Sequence, residues 1–273
     1  MEEKKKGKGT IVIIVLLVFV ILGLVCYICY DKGIIFKGKE STTNANEKSK
    51  TKNEEEKVTF SDSELEKYVN YISPVSLGPS ALLYDTGEVN AKSLSASDKI
   101  KYIGSSVYQK QQVMTHEQFL NEGKGKYDGY ILENEVKSLV ENVYGPNTYE
   151  KAVFNLGCGD YILDEEKGKY YTKTGCGGAT TTSVSNVIIE YKATKNKLEI
   201  TTSYAFVGGA DNKIYKDYNM SIILDDYTGR PDEVDTYLKN YIKNNKDKLS
   251  TIVYTFESTD GRNYYFTGFK NNK

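Results

Sequence analysis

The feature that most constrains this chain is an apolar stretch near its N-terminus, which reads IVIIVLLVFVILGLVCYICY from Ile11 to Tyr30. About 20 uncharged residues rise roughly 30 Å as an α-helix, which matches the hydrocarbon thickness of a bilayer. A helix that is apolar on every face has no polar side to turn toward water, so a globular core explains it poorly. The sequence therefore predicts one transmembrane helix over residues 10–30.

Lysines on the two sides of this stretch set its expected orientation. Lys4, Lys5, Lys6 and Lys8 precede it, and three further lysines follow it before residue 40. Because slightly more lysines precede the stretch than follow it, the charge pattern favours a short cytoplasmic tail at residues 1–9 and a single-pass anchor. The C-terminal part would then lie outside the cytoplasm. Since the apolar run has no small-x-small pattern after it, we expect an uncleaved signal anchor in the cell membrane.

Cys26 and Cys29 form a C-x-x-C pattern inside the predicted membrane helix. A redox pair requires an accessible helix N-terminus, which a position in lipid does not offer. The pattern favours two small apolar side chains. An interchain disulfide through Cys29 at the membrane interface is the alternative.

The segment after the anchor is polar throughout. Residues 37–57, KGKESTTNANEKSKTKNEEEK, contain no large apolar side chain and cannot offset the entropy lost on ordering. We therefore expect a disordered stalk at residues 31–57 and a folded extracytoplasmic domain at residues 58–273.

Helical and strand periodicities follow one another in this domain. Helical spacing predicts three helices, near Ser61–Ile72, near Asp98–Tyr108, where Ser95 or Ser97 is the cap, and over Glu133–Tyr144. Beyond Thr148 the period changes to two, in KAVFNL, DYIL, KYYTK, NVIIEYKA, KLEITTSYAF, KIYKDYNMSIIL, STIVYTFES and NYYFTGF. One more helix is expected near Asp232–Lys246, and Asp260-Gly261 is typical of a terminal hairpin turn. The fold class predicted is α+β, with helices packed on one face of a curved antiparallel sheet.

The segment GCGDYILDEEKGKYYTKTGCGG predicts a hairpin that brings two cysteines together. A three-residue loop with a left-handed Gly168 places Glu165 opposite Lys169, and counting outward places Cys158 opposite Cys176. Such pairs approach to roughly 4.5 Å between Cα atoms, and a disulfide closing about 17 residues stabilises by roughly 3 kcal/mol. A disulfide requires an oxidising compartment, which supports the predicted orientation. Two free buried thiols are the alternative, and a metal site needs further ligands.

Composition argues against several kinds of chemistry. The net charge is −1 and only Arg230 and Arg262 are arginines, so we expect no nucleic-acid binding. His116 is the only histidine and lies in THEQFL, a plausible first helical turn where an exposed side chain is expected. With Cys158 and Cys176 paired, the domain has no nucleophilic thiol. We assign no catalytic residue, no cofactor and no metal ligand.

Acidic and aromatic residues leave two readings open. The chain has 37 acidic residues, enough to place some pair at glycosidase separation, although Asp225, Asp226, Asp232 and Glu233 read as a solvated turn. The strand-region tyrosines either stack on sugars or a partner protein, or are half-buried in the sheet, which strand statistics favour. These tyrosines are Tyr170, Tyr171, Tyr191, Tyr204, Tyr215 and Tyr218.

Several features together carry a resemblance. The anchor, the stalk, the helix ending in Tyr144-Gly145-Pro146, the glycine-flanked cysteines and the closing TFESTDGRNYYFTGF resemble uncharacterised membrane-anchored surface proteins of AT-rich Gram-positive bacteria. The terminal strand pair looks like those of cystatin-like or NTF2-like α+β domains, which implies a curved antiparallel sheet that wraps helices. The resemblance implies no catalytic residue.

We expect a noncatalytic binding, interaction or sensing domain at the cell envelope, because the chain is tethered, nearly neutral and lacks a nucleophile–base set. Its partners are then the membrane, through the N-terminal helix, and an envelope protein or a cell-wall glycan. A carboxylate-dependent cell-wall glycan hydrolase is the alternative. A third reading is assembly through the membrane helix, with the domain as a spacer.

Overall fold

The computed structural model describes residues 57–73, 80–157, 159–175, 182–209 and 211–273. The predicted transmembrane helix at 10–30, residues 31–56 of the predicted stalk and all four cysteines lie outside these ranges. Within them, no helix combines the length and apolarity needed to cross a bilayer. The membrane anchor, the extracytoplasmic location and the Cys158–Cys176 disulfide therefore stay predictions.

The described part of the chain is an α+β fold of short helices and antiparallel strands, as predicted. The helices are α1 (Asp62–Tyr71), α2 (Ser80–Asp85), α3 (Ala96–Tyr102), α4 (Gly104–Tyr108), α5 (His116–Asn121), α6 (Glu133–Tyr144) and α7 (Val234–Asn245). The strands are β1 (Glu88–Asn90), β2 (Gln112–Val113), β3 (Gly129–Leu132), β4 (Phe154–Asn155), β5 (Asp160–Asp164), β6 (Lys169–Thr172), β7 (Thr182–Ala193), β8 (Lys197–Gly208), β9 (Lys213–Tyr215), β10 (Ile223–Asp226), β11 (Ser250–Glu257) and β12 (Tyr265–Asn272).

The larger sheet is built around β8. This strand pairs with β7 along one side, and with β11 and then β9 along the other. The path continues from β11 through β12 to β1, and from β9 to β10. Bulges between Ile188 and Glu190 and between Thr255 and Phe256 interrupt the register. Such bulges bend strands and increase their twist.

A second sheet of five strands, in the order β2-β3-β6-β5-β4, was not predicted. The expectation of helices first and one sheet afterwards is wrong, because β1, β2 and β3 all precede Thr148. These strands have only two to four residues, too few for an alternating pattern to appear in the sequence. The helix expected near Asp98–Tyr108 is likewise divided at Ile103 into α3 and α4.

The hairpin of β5 and β6 differs from its prediction by one residue. Asp164 pairs with Lys169, so the loop has four residues rather than three, although Gly168 is left-handed as predicted, with φ +60°. Strand β4 also pairs with β5, with Asn155 opposite Asp160.

The core shows why β8 is central. Tyr204 and Phe206 belong to the main hydrophobic cluster with α1, α3 and α6, whereas the alternating Ala205 and Val207 pack with α7. Successive strand side chains point to opposite faces, so the C-terminal half of β8 is covered on both. The expectation of helices on one face only is therefore wrong for this half.

Candidate functional site

A groove of about 590 Å³ rich in tyrosine, which we call the tyrosine groove, is the main candidate for a binding site. Three parts of the chain form it: α1 with the residue before its cap, the C-terminal end of α6, and the loop between β11 and β12. Its lining residues are Phe60, Glu64, Lys67, Tyr68, Tyr71, Glu141, Asn142, Pro146, Arg262, Asn263, Tyr264 and Tyr265.

Helix α1 supplies one wall through its spacing. Glu64, Lys67, Tyr68 and Tyr71 follow the i, i+3, i+4, i+7 pattern of a single helix face. The adjacent stripe of Leu65, Val69 and Ile72 is buried in the core and fixes the rotation of the helix. The groove residues of α1 therefore lie on a rigid element.

A capping box fixes the start of this helix. The backbone N–H of Ser61 donates to the Glu64 carboxylate at 2.8 Å, and the Ser61 hydroxyl donates to the same oxygen at 2.6 Å. The Ser61 hydroxyl also accepts a hydrogen bond from the backbone N–H of Glu64, the third residue of the helix. These bonds hold the pKa of Glu64 below its ordinary value, chiefly through the Ser61 side chain.

The opposite hairpin loop is organised by Asp260. Its carboxylate accepts the backbone N–H groups of Arg262 and Asn263, both at 2.8 Å, and the Asn263 side-chain amide at 2.7 Å. These donors, Asn263 first, hold the pKa of Asp260 well below its ordinary value. The Tyr264 hydroxyl donates to the carbonyl of Thr194 at 2.7 Å, which ties the loop to the β7–β8 turn. Arg262 and Asn263 are thus presented from a fixed backbone.

The aromatic rings of the groove support one another edge to face. The Phe60 and Tyr264 ring centres lie 5.5 Å apart at 77°, and those of Tyr68 and Tyr264 lie 6.3 Å apart at 83°. Tyr71 meets Tyr68 at 6.5 Å and 87°. Burial raises the pKa of Tyr68 and of Tyr264, so both hydroxyls are neutral donors at physiological pH. The groove is therefore formed before any ligand enters.

The end of α6 closes the groove around a glycine. Gly145 has φ +104° and ψ 166°, a region that side chains with a Cβ almost never adopt. An added Cβ would lie 3.5 Å from the ring of Tyr265. A second cavity of about 250 Å³ is lined by Lys92, Lys99 and the same tyrosine, among other residues. Tyr265 thus lines both cavities.

Both carboxylates of the groove already have partners. Glu64 belongs to the capping box, and Glu141 accepts the Lys137 ammonium and, at 3.1 Å, the backbone N–H of Asn147. Lys67 lies 5.8 Å from the centre of the Tyr71 ring. The groove therefore offers aromatic rings, amides and cations more readily than acids.

A second aromatic group, which we call the lysine–tyrosine cluster, lies on the smaller sheet and its neighbouring loop. Lys126, Lys169 and Lys167 cover the rings of Tyr127, Tyr130 and Tyr171, at 4.7, 4.4 and 5.5 Å from the ring centres. Glu122 pairs with Lys169 at 2.6 Å and Asp164 pairs with Lys167 at 3.8 Å. Because its rings are covered by lysines and two of these three lysines are paired with acids, this cluster is the weaker candidate.

Comparison of the chain with protein-family models, curated proteins and solved structures gives no match. Within the described ranges, no three His, Cys, Asp or Glu side chains lie close enough together to hold a metal ion. The site must therefore be judged from its own geometry.

Of the residues singled out in the sequence, Arg262 lines the groove, whereas His116, Asp226 and Arg230 do not. His116 is exposed at the first position of α5, as predicted. Asp226 pairs with Lys213 at 2.8 Å, and Arg230 pairs with Glu233, so these acids are engaged at the surface. Cys158 and Cys176 lie outside the described residues.

The strand tyrosines are more deeply buried than predicted. Tyr170, Tyr171, Tyr204 and Tyr215 are at most 5 % exposed, whereas Tyr191 and Tyr218 are half-buried. They are core residues, and sequence reasoning missed the tyrosines that line the groove. One signal was present: Glu64, Lys67, Tyr68 and Tyr71 form a second stripe beside the apolar stripe of α1.

Proposed function

We propose that the domain is a noncatalytic binding module of the cell envelope and that the tyrosine groove holds a cell-wall glycan. The observation that carries this proposal is a preformed groove whose lining combines five aromatic rings with amide and charged side chains. Sugars present apolar C–H faces, which pack on aromatic rings, and hydroxyls, which bond to amides and charged groups. A lining that mixes aromatic rings with polar groups suits both features of a sugar.

The shared lining residue Tyr265 favours a chain over a single sugar. The groove of about 590 Å³ and the adjoining cavity of about 250 Å³ meet at this ring. A ligand that passes over Tyr265 contacts both. A polymer of repeating sugars has this shape, and the predicted membrane anchor would keep the domain close to such a polymer.

The geometry supports binding over the alternative of a carboxylate-dependent hydrolase. A glycosidase needs one carboxyl group with a raised pKa as general acid, and a second as base or nucleophile. In the groove, the pKa of Glu64 is lowered and Glu141 is occupied by Lys137 and Asn147. Glu64 is therefore unsuited to the general-acid role, and both carboxylates are hydrogen-bonded within the protein.

The test is co-sedimentation of the full-length chain, purified in a non-ionic detergent, with cell-wall sacculi that have been treated with protease. We expect wild type to sediment with the sacculi, and Tyr71→Ala to bind about tenfold more weakly, as for a central aromatic contact. Tyr130→Ala is the matched control, because this tyrosine lies in the lysine–tyrosine cluster. The folding of each variant is checked by its thermal transition.

Three results would contradict the proposal. Loss of binding after protease treatment would point to an envelope protein as the ligand. If Tyr71→Ala and Tyr130→Ala weakened binding to the sacculi equally, the groove would not be the binding site. Release of reducing ends from the sacculi, abolished by Glu64→Gln or Glu141→Gln, would establish the hydrolase instead.

A further inference from the structure

We infer that the ligand of the tyrosine groove carries an anionic group, a carboxylate or a phosphate, which Arg262 and Lys67 receive. This inference rests on the proposed function and adds the chemical class of the ligand. The chain has only two arginines, and one of them stands at this groove. The balance of charge among the lining residues carries the argument.

The negative charges of the groove are used within the protein. Glu64 accepts two hydrogen bonds from Ser61, and Glu141 accepts from Lys137 and from the backbone of Asn147. Asp260, within the loop, accepts hydrogen bonds from Ser258, Arg262 and Asn263. Arg262 contributes its backbone N–H to this set, which leaves the guanidinium outside it.

The positive charges of the groove have no such partners. Among residues that the structure describes, neither Lys67 nor Arg262 has a carboxylate within ion-pair distance. Both side chains are exposed at the groove, one on α1 and the other on the β11–β12 loop. Two cations from separate elements therefore flank one aromatic surface.

The two cations suit an oxyanion in different ways. A guanidinium presents a planar fork of donors that matches carboxylate and phosphate oxygens two at a time. A lysine ammonium is a point charge, and Lys67 is held near the Tyr71 ring, 5.8 Å from its centre. A neutral glycan would contact the rings and amides but would leave these two cations without an anionic partner.

The other arginine provides a matched comparison. Arg230 is bonded to Glu233 and lies 3.9 Å from Asp232, so its charge is satisfied locally. In the lysine–tyrosine cluster, Lys169 pairs with Glu122 and Lys167 pairs with Asp164, and only Lys126 has no ion pair among the described residues. The groove differs from both surfaces because it holds two unpaired cations, one of them an arginine.

The experiment measures binding of the full-length chain, in non-ionic detergent at low salt, to three probes of equal length. The probes are a neutral N-acetylglucosamine oligomer, a uronic-acid oligomer that bears carboxylates, and a poly(glycerol phosphate). We expect at least one anionic probe to bind about tenfold more tightly than the neutral probe, which is the scale of a charge-assisted bidentate contact. Comparison of the two anionic probes identifies the carboxylate or the phosphate as the source.

Variants decide whether the preference belongs to these residues. Arg262→Gln should remove the preference for the anionic probe, and Lys67→Gln should reduce the same preference. Arg230→Gln should behave as wild type. A wild-type chain that binds neutral and anionic probes equally would overturn the inference and leave the proposed function standing. A chain that binds none of the probes, or whose binding Tyr71→Ala does not weaken, would overturn both.

Discussion

At the scale of single residues, two positions determine the shape of the groove without touching a ligand. Gly145 ends α6 in a backbone conformation that side chains rarely adopt, which lets the Tyr265 ring pack against it. The Asp260 carboxylate accepts hydrogen bonds from the backbone N–H groups of Arg262 and Asn263, which fixes the position of these two residues in the β11–β12 loop. Both act by holding backbone that would otherwise sample other conformations.

Gly145→Ala should destabilise the protein by about 1–3 kcal/mol, because the added Cβ forces strain at φ +104°. The matched control is Gly87→Ala, since a Cβ there meets no described atom within 4 Å. Urea unfolding of both variants measures the difference. A loss of stability at Gly87 equal to that at Gly145 would show that strain at α6 is not the cause.

The Asp260 carboxyl should make stability depend on pH in the acid range. Its folded pKa is lowered, so its stabilisation is complete above the unfolded value of about 3.9 and is lost as the pH falls toward the folded value. Asp260→Asn should therefore be less stable than wild type at pH 7, and the gap should narrow below about pH 4. Thermal unfolding from pH 7 to pH 2 measures this gap. A gap that stays constant over this range would contradict the assignment.

At the scale of elements, α1 joins the core to the groove through adjacent stripes. Leu65 is 1 % exposed and anchors the core stripe, while Tyr68 and Tyr71 are half-buried on the groove side. The helix runs from Asp62 to Tyr71, within the span that its serine cap and apolar spacing predict. The position of α1 thus depends on core packing, whereas its proposed role in binding depends on the neighbouring face that carries Tyr68 and Tyr71.

Leu65→Ala should cost about 2–5 kcal/mol, because it removes buried side-chain volume and leaves a cavity. Leu120→Ala is the matched control, since this leucine is 54 % exposed on α5. Denaturant unfolding of the two variants provides the comparison. If they lost equal stability, α1 would not be the core element described here.

Elements with a strong local signal were predicted well, and those without one were missed. Helices α1 and α6 have clear apolar stripes and end signals, so their spans were predicted closely. Strands β1, β2 and β3 have four residues or fewer, which is too few to show an alternation of apolar and polar side chains. The β5–β6 register shifted by one because a four-residue loop and a three-residue loop share the same left-handed Gly168.

At the scale of the whole molecule, the groove arises from packing that no local pattern encodes. Its residues come from 60–71, 141–146 and 262–265, which meet only because α1, α6 and the β11–β12 hairpin share one core. Sequence reasoning therefore reached the α+β class and the exposed position of His116, but not the groove. The central claim is that ligand binding belongs to this junction and not to the smaller sheet.

Hydrogen–deuterium exchange of the full-length chain, with and without saturating oligosaccharide, tests that claim most directly. We expect slower amide exchange on binding in the groove segments, residues 60–71, 141–146 and 258–265. Exchange should change little in residues 122–130 and 164–172. Protection confined to the second pair of segments, around the lysine–tyrosine cluster, would contradict it.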